Sequence, residues 1–137
     1  MAWIAYEDDD NFQTKAALTR IIRLPDIDRE LVLGQMVALR ELAAEGGIEE
    51  GDDDSLRPIH DEPEMWELRW QFPELDLLLR QYHGEPYELP RNLVSLHLHE
   101  KVIVRGNDAA IEELQDIEIS QAKLRFEVGK PSEWGTR

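Results

Sequence analysis

The sequence predicts an α+β domain of order β-α-α-β-β-β-α, in which an antiparallel helical hairpin packs on a small, mostly antiparallel sheet. Three observations lead there. Apolar residues spaced by three and four flank the Leu24-Pro25 pair, which marks two consecutive helices. Residues Trp66 to Phe72 alternate apolar and polar, which marks a half-buried strand. A helix-like stretch from about Ala109 to Val128 then closes the chain.

Taken in order, Trp3-Ile4-Ala5-Tyr6 reads as a first strand, ended by Glu7-Asp8-Asp9-Asp10. Asp10 or Asn11 is placed to cap a helix over about Phe12–Arg23, with Ala16, Leu18, Ile21 and Ile22 offered to the core. Pro25 ends that helix, because proline disfavours helical geometry in the residue before it. Asp26 is expected to cap the next helix, Ile27 to about Ala44, with Val32, Met36, Leu39 and Ala43 as its stripe. Glu45-Gly46-Gly47 stops it, glycine being the usual residue just past a helix end. Residues 48–64 read as an acidic loop; Asp52, Asp53 and Asp54 are consecutive and lack the alternate spacing of a calcium loop.

In the second half, Trp66, Leu68, Trp70 and Phe72 alternate with Glu67, Arg69 and Gln71. Leu75–Tyr82 follows as a strand with Arg80 near its end, and Leu93–Val104 as a third. In this last strand Val94, Leu96, Leu98 and Val102 are expected on one face, and Ser95, His97, His99 and Lys101 on the other.

The chain has 137 residues, enough for one domain with a real core, and carries a net charge of −15. Residues 1–64 hold 17 acidic and 6 basic side chains, a net of −11, whereas residues 65–105 hold 6 and 5, a net of −1. The acidity therefore sits in the first half, and the strand-rich middle is close to neutral. A global acidic field slows encounter with nucleic acid, but screening confines each charge to about 8–10 Å, so a local cationic patch remains possible. There is no cysteine, which excludes disulfides and thiolate metal sites. No apolar run nears the roughly 20 residues of a membrane span, and residues 1–6 lack the basic start of a signal peptide, so the expected compartment is the cytoplasm.

The polar positions of the strands carry the chemistry. His97 and His99, at i and i+2, project from one strand face and are the natural proton-transfer pair near neutral pH. Arg69 and Arg80 on neighbouring strands can clamp phosphate through planar hydrogen bonds, Lys101 extends the row, and Arg57 reaches in from the preceding loop. Tyr82, with Trp66 as the other candidate, would stack a splayed base. Plainer readings stand beside these. Glu67 and Arg69 also read as surface ion pairs with Arg80 or Lys101, and both histidines as surface residues. A His-x-His zinc pair would need a third ligand such as His83, His60 or an acidic residue, and Trp66 and Trp70 read as core.

The motifs Trp3, Met65-Trp66-Glu67-Leu68-Arg69, Arg80, Leu96-His97-Leu98-His99-Glu100-Lys101 and Glu118-Ile119-Ser120-Gln121-Ala122-Lys123-Leu124-Arg125 come in the order of a known family. In them the chain resembles the RelE/HigB toxin superfamily, in its phage-derived HigB-like branch, over nearly its whole length. Glu100-Lys101 stands where that pattern usually has paired lysines. The resemblance implies a toxin of a toxin–antitoxin system: a ribosome-dependent endoribonuclease that cuts mRNA and is silenced by a cognate antitoxin. It implies no metal and no small-molecule cofactor. On it, His97, His99 and Arg80 would be catalytic, Arg57, Arg69 and Lys101 would hold phosphate, and Tyr82 would stack a base. The competing expectation is a catalytically silent relative, a phage or host regulator whose acidic hairpin binds a basic protein. A gyrase-directed relative of the ParE branch is a third.

Overall fold

The structure, a computed structural model, describes residues 1–6, 11–49, 51–103 and 105–137. The expected Glu7–Asp10 strand end, the Asp10 cap and Val104 lie outside them. Its elements are β1 (Ala2–Ala5), α1 (Phe12–Ile22), α2 (Asp26–Ala44), β2 (Leu56–Ile59), β3 (Glu62–Phe72), β4 (Leu77–Gly84), β5 (Asn92–Glu100) and α3 (Asp108–Gly129). Short 3-10 turns follow β3 and α3. The five strands form one mixed sheet in the order β1-β5-β4-β3-β2, in which only the β1–β5 pairing is parallel. Among the described residues the architecture is therefore α+β, with three helices.

Helix α1 starts where the sequence predicts, because the Asn11 side chain accepts from the Thr14 amide. Its buried stripe is Thr14, Ala17 and Ile21 rather than Ala16, Leu18 and Ile22; the helix is rotated so that Thr14 Oγ1 donates to the Leu98 carbonyl. Asp26 is the first helical residue of α2 and not its cap. Pro25 holds the cap position, and Asp26 pairs with Arg29 instead. Val32, Met36 and Ala43 are buried as expected, and Gly46, at φ 70°, turns the chain away past the helix end.

The expected loop over residues 48–64 is corrected in its second half. Leu56–Ile59 is a strand, and β3 already begins at Glu62, with Asp61 at φ 62° making the turn between them. Pro58 is tolerated because β2 is an edge strand, where a missing N–H costs no ladder bond. Among the described residues the strands thus number five, not four. A second correction concerns layering. Alternate positions of the strands divide between two clusters: Leu68, Trp70, Phe72, Leu77 and Leu79 pack under α1 and α2, while Met65, Tyr82, Val94 and Leu96 pack with Ala122, Phe126 and Trp134. Alternate strand residues point to opposite faces, so α3 covers the face that the hairpin leaves.

A bulge in β5 changes its phase. Tyr82 pairs with His97 but His83 pairs with Ser95, so Leu96 is the extra residue. Val94 and Leu96 consequently join the α3 layer while Leu98 joins the hairpin layer, not all three one face as period-2 reading expects. The strand also ends at Glu100, and residues 101–103 are not part of it.

Candidate functional site: a polar lattice beneath the third helix

Strand register places the polar residues in two rows across the α3 side of the sheet. One row runs Arg57–Glu67–Tyr82–His97 over β2, β3, β4 and β5. The next runs Arg69–Arg80–His99, with Lys101 just beyond the end of β5. Every residue the sequence reading named for phosphate or proton chemistry lies in or beside this lattice. Most are buried, because α3 and the chain before β2 close over it. Arg80 and His99 are 2% and 4% exposed, and His97 is fully buried. Only Arg57 is exposed; Arg69 and Lys101 are half-buried at the rim.

Glu67 is the hub of the cationic end. Its Oε1 lies 3.1 Å from Arg80 Nε and 3.6 Å from Arg69 Nε. Burial lifts its carboxyl above the ordinary value, against the opposing pull of Arg69, Arg80, Lys101 and Arg57. Burial lowers Arg80, and the neighbouring Arg69 adds to that; Lys101 is lowered by burial and then by Arg80 and Arg69. Four cations thus feel one another around a single carboxylate. Arg69 Nη1 and Arg57 Nε both donate to the Asp53 carbonyl, and Arg80 Nη1 donates to the carbonyls of Leu79 and Trp70. Glu100 takes no part in this cluster: it points to the hairpin face and pairs with Arg20 at 3.7 Å.

The histidine end is a closed hydrogen-bond network. Arg125 Nη1 lies 2.8 Å and Asn11 Nδ2 3.1 Å from His97 Nδ1, and both groups can only donate. Nδ1 therefore accepts, the proton resides on Nε2, and Nε2–H donates to the Glu118 carboxylate. Burial alone would raise Glu118, but its hydrogen bond with His97, together with the electrostatic pull of His99, His97 and Arg125, outweighs it and holds the carboxyl below its usual value. His99 Nε2 lies 3.0 Å from the Tyr82 hydroxyl. Burial drives His99 down to about 4, so it is neutral at pH 7 and accepts the Tyr82 proton. Burial, with Glu67 and Glu118, pushes the Tyr82 phenol up. The Tyr82 ring stacks on both imidazoles, 6.1 Å from His97 and 5.4 Å from His99, and is fully buried. It has no face open to a base, so the stacking role expected of it does not fit this geometry.

His99, Glu100, Lys101, Gln13, Gln115 and Glu118 are among the residues that line a small cavity of about 90 Å³. Of the two histidines suggested as a third zinc ligand, His83 packs edge-on to Trp3 on the hairpin side, and His60 sits exposed in the β2–β3 turn. Among the described residues no three His, Asp or Glu side chains converge as a metal ion requires. Trp70 is core, its Nε1 donating to the Gln35 carbonyl, whereas Trp66 is half-buried.

Sequence reasoning named Asn11 only as a helix cap and Glu118 and Arg125 only within the family-like motif, and gave none of them a place in the site. Glu118 and Arg125 are seven residues apart, two turns, and so share a helix face. That spacing was the available signal. Compared with protein-family models, with curated proteins and with solved structures, the chain matches none. Among the described residues no helix is long and apolar enough to cross a membrane.

Proposed function

We propose that this chain binds an RNA phosphodiester at the Glu67 cluster and is a RelE/HigB-type toxin, cutting mRNA on the ribosome and silenced by a cognate antitoxin. The observation that carries the reading is the gathering of Arg57, Arg69, Arg80 and Lys101 about one carboxylate in a chain of net charge −15. Such an arrangement leaves an excess of positive charge that an added phosphate would neutralise. The α-hairpin beside a small, mostly antiparallel sheet supports the same reading. Glu100, which interrupts the expected lysine pair, faces away from the cluster and does not cancel it.

In this reading Arg57 and Lys101 at the rim take the phosphate, and Arg69 and Arg80 brace them through Glu67. The RNA 2′-oxygen attacks the adjacent phosphorus and the bond to the 5′-oxygen breaks, leaving a 2′,3′-cyclic phosphate and a 5′-hydroxyl. The 2′-hydroxyl proton goes to neutral His99 once the Tyr82 hydroxyl withdraws, and the leaving oxygen takes a proton from the His97 side of the network. Reaching either imidazole requires α3 to move.

The closure of α3 favours a second reading, a catalytically silent relative that works by binding, because both imidazoles are covered and hydrogen-bonded. One experiment separates the two. The chain is induced in a host cell without its neighbouring gene, growth is followed, and mRNA ends are mapped by primer extension. Growth arrest with new ends in translated regions, lost in an Arg57→Ala/Lys101→Ala variant that keeps its circular dichroism, is expected for the toxin. Equal toxicity in that variant would sink the cluster as the phosphate site. Normal growth with intact mRNA would refute the toxin reading and favour the binding reading, which a pull-down for a basic partner then tests.

A further inference from the structure

Helix α3 has a second apolar face. Its buried side, Ala122, Phe126 and Gly129, rests on the sheet. Roughly a third of a turn around the helix, Leu114, Ile117, Gln121, Leu124 and Val128 recur at spacings of three and four, the a and d positions of a heptad. The four apolar members are 42%, 49%, 65% and 62% exposed. An exposed apolar seam of this length is uncommon on a surface with no partner. Gln121, half-buried at its centre, is a polar residue of the kind that sets register between paired helices.

The charges beside the seam identify what fits it. From Asp108 to Lys130 the helix and its end carry six acidic residues, Asp108, Glu112, Glu113, Asp116, Glu118 and Glu127, against three basic ones, Lys123, Arg125 and Lys130. Glu113 and Asp116 are exposed on the seam's solvent side, and Glu127 beyond them pairs with Lys130. We infer that this seam docks one amphipathic helix of a basic partner protein, with leucine-like residues on its inner face and lysine or arginine on its flanks. A second copy of the chain is the wrong occupant. Each copy carries −15 and would bring the same acidic flank, with Glu113 and Asp116, to the interface. This docking surface goes beyond the phosphate reading and stands whether or not the chain cuts RNA.

The test titrates the intact protein with two synthetic helical heptad peptides, both with leucine at a and d. One has lysine at e and g, the other glutamate, and binding is followed by fluorescence anisotropy. The lysine peptide is expected to bind, more weakly as salt rises, and the glutamate peptide not to bind. Leu124→Gln and Ile117→Gln are neutral changes at exposed sites, so the fold should persist by circular dichroism. Each is expected to weaken the lysine peptide by roughly tenfold or more. Leu31→Gln, on the exposed side of α2, is expected to leave binding unchanged and serves as the control. Several results would overturn the proposal: no binding of the lysine peptide, equal binding of both peptides, or unaltered binding to the Leu124→Gln protein. A wild-type dimer in sedimentation that Leu124→Gln dissociates would overturn it too, in favour of a second copy.

Discussion

Replacing His99 with glutamine should flatten the dependence of stability on pH between about 4 and 6.5. An unfolded histidine titrates at 6.5, while burial holds folded His99 down to about 4. Between those values the unfolded chain binds more protons than the folded one, so the free energy of unfolding rises with pH across that window. The stability that neutral His99 protects is complete above about 6.5 and is lost as pH falls toward 4. At about 1.4 kcal/mol per pH unit, this gap is worth about 3 kcal/mol. Burial lowers His83 as well, which adds to the same slope, and Glu118, held low, adds a loss at more acidic pH. Glu67, held high, acts in the opposite sense, costing stability as pH rises above 4.5. His83 and Glu67 are common to both proteins, so the difference between the two curves reports His99 together with its coupling to Glu118. The glutamine carbonyl keeps an acceptor for the Tyr82 hydroxyl, which avoids stranding a buried donor. Urea titrations of both proteins at pH 4.5, 5.5, 6.5 and 7.5 measure the difference. Parallel stability curves for the two proteins would refute the argument that burial keeps His99 neutral.

The remaining expectations concern packing and pairing. Arg80→Ala should destabilise by about 3–5 kcal/mol in chemical denaturation, because it strands the buried Glu67 carboxylate, and a second Glu67→Gln change should recover part of that loss. If the double variant is no more stable than Arg80→Ala, the pair is not the reason. Gly84→Ala should cost about 1–3 kcal/mol, since a Cβ there would meet Phe126 Cε1 at 2.3 Å. An unchanged thermal midpoint would mean that α3 does not rest on β4 as closely as described.

Much of the first half was legible because its signals are local. The Asn11 cap, the Leu24-Pro25 break and Gly46 delimit the two helices within one or two residues of expectation. The alternation of Leu68, Trp70 and Phe72 identified the core strand for the same reason. β2 escaped because Pro58 and the aspartates beside it are loop formers by propensity, and only pairing with β3 makes Leu56–Ile59 a strand. The exposed reading of Glu67, His97 and His99 failed because alternation marks a buried face only when the other face meets water. Here a helix layer covers each side.

By itself the sequence determined the helical hairpin, the central strand and the set of side chains that make up the polar lattice. Each of these follows from spacing along a few turns or a few strand residues. The tertiary structure alone decided that Leu96 bulges, that Glu67 gathers four cations and that His97 carries its proton on Nε2. These depend on contacts such as Asn11 with His97, 86 residues apart, and Glu118 with His97, 21 apart. Strand register and burial are set by such distant pairings, and no local periodicity encodes them.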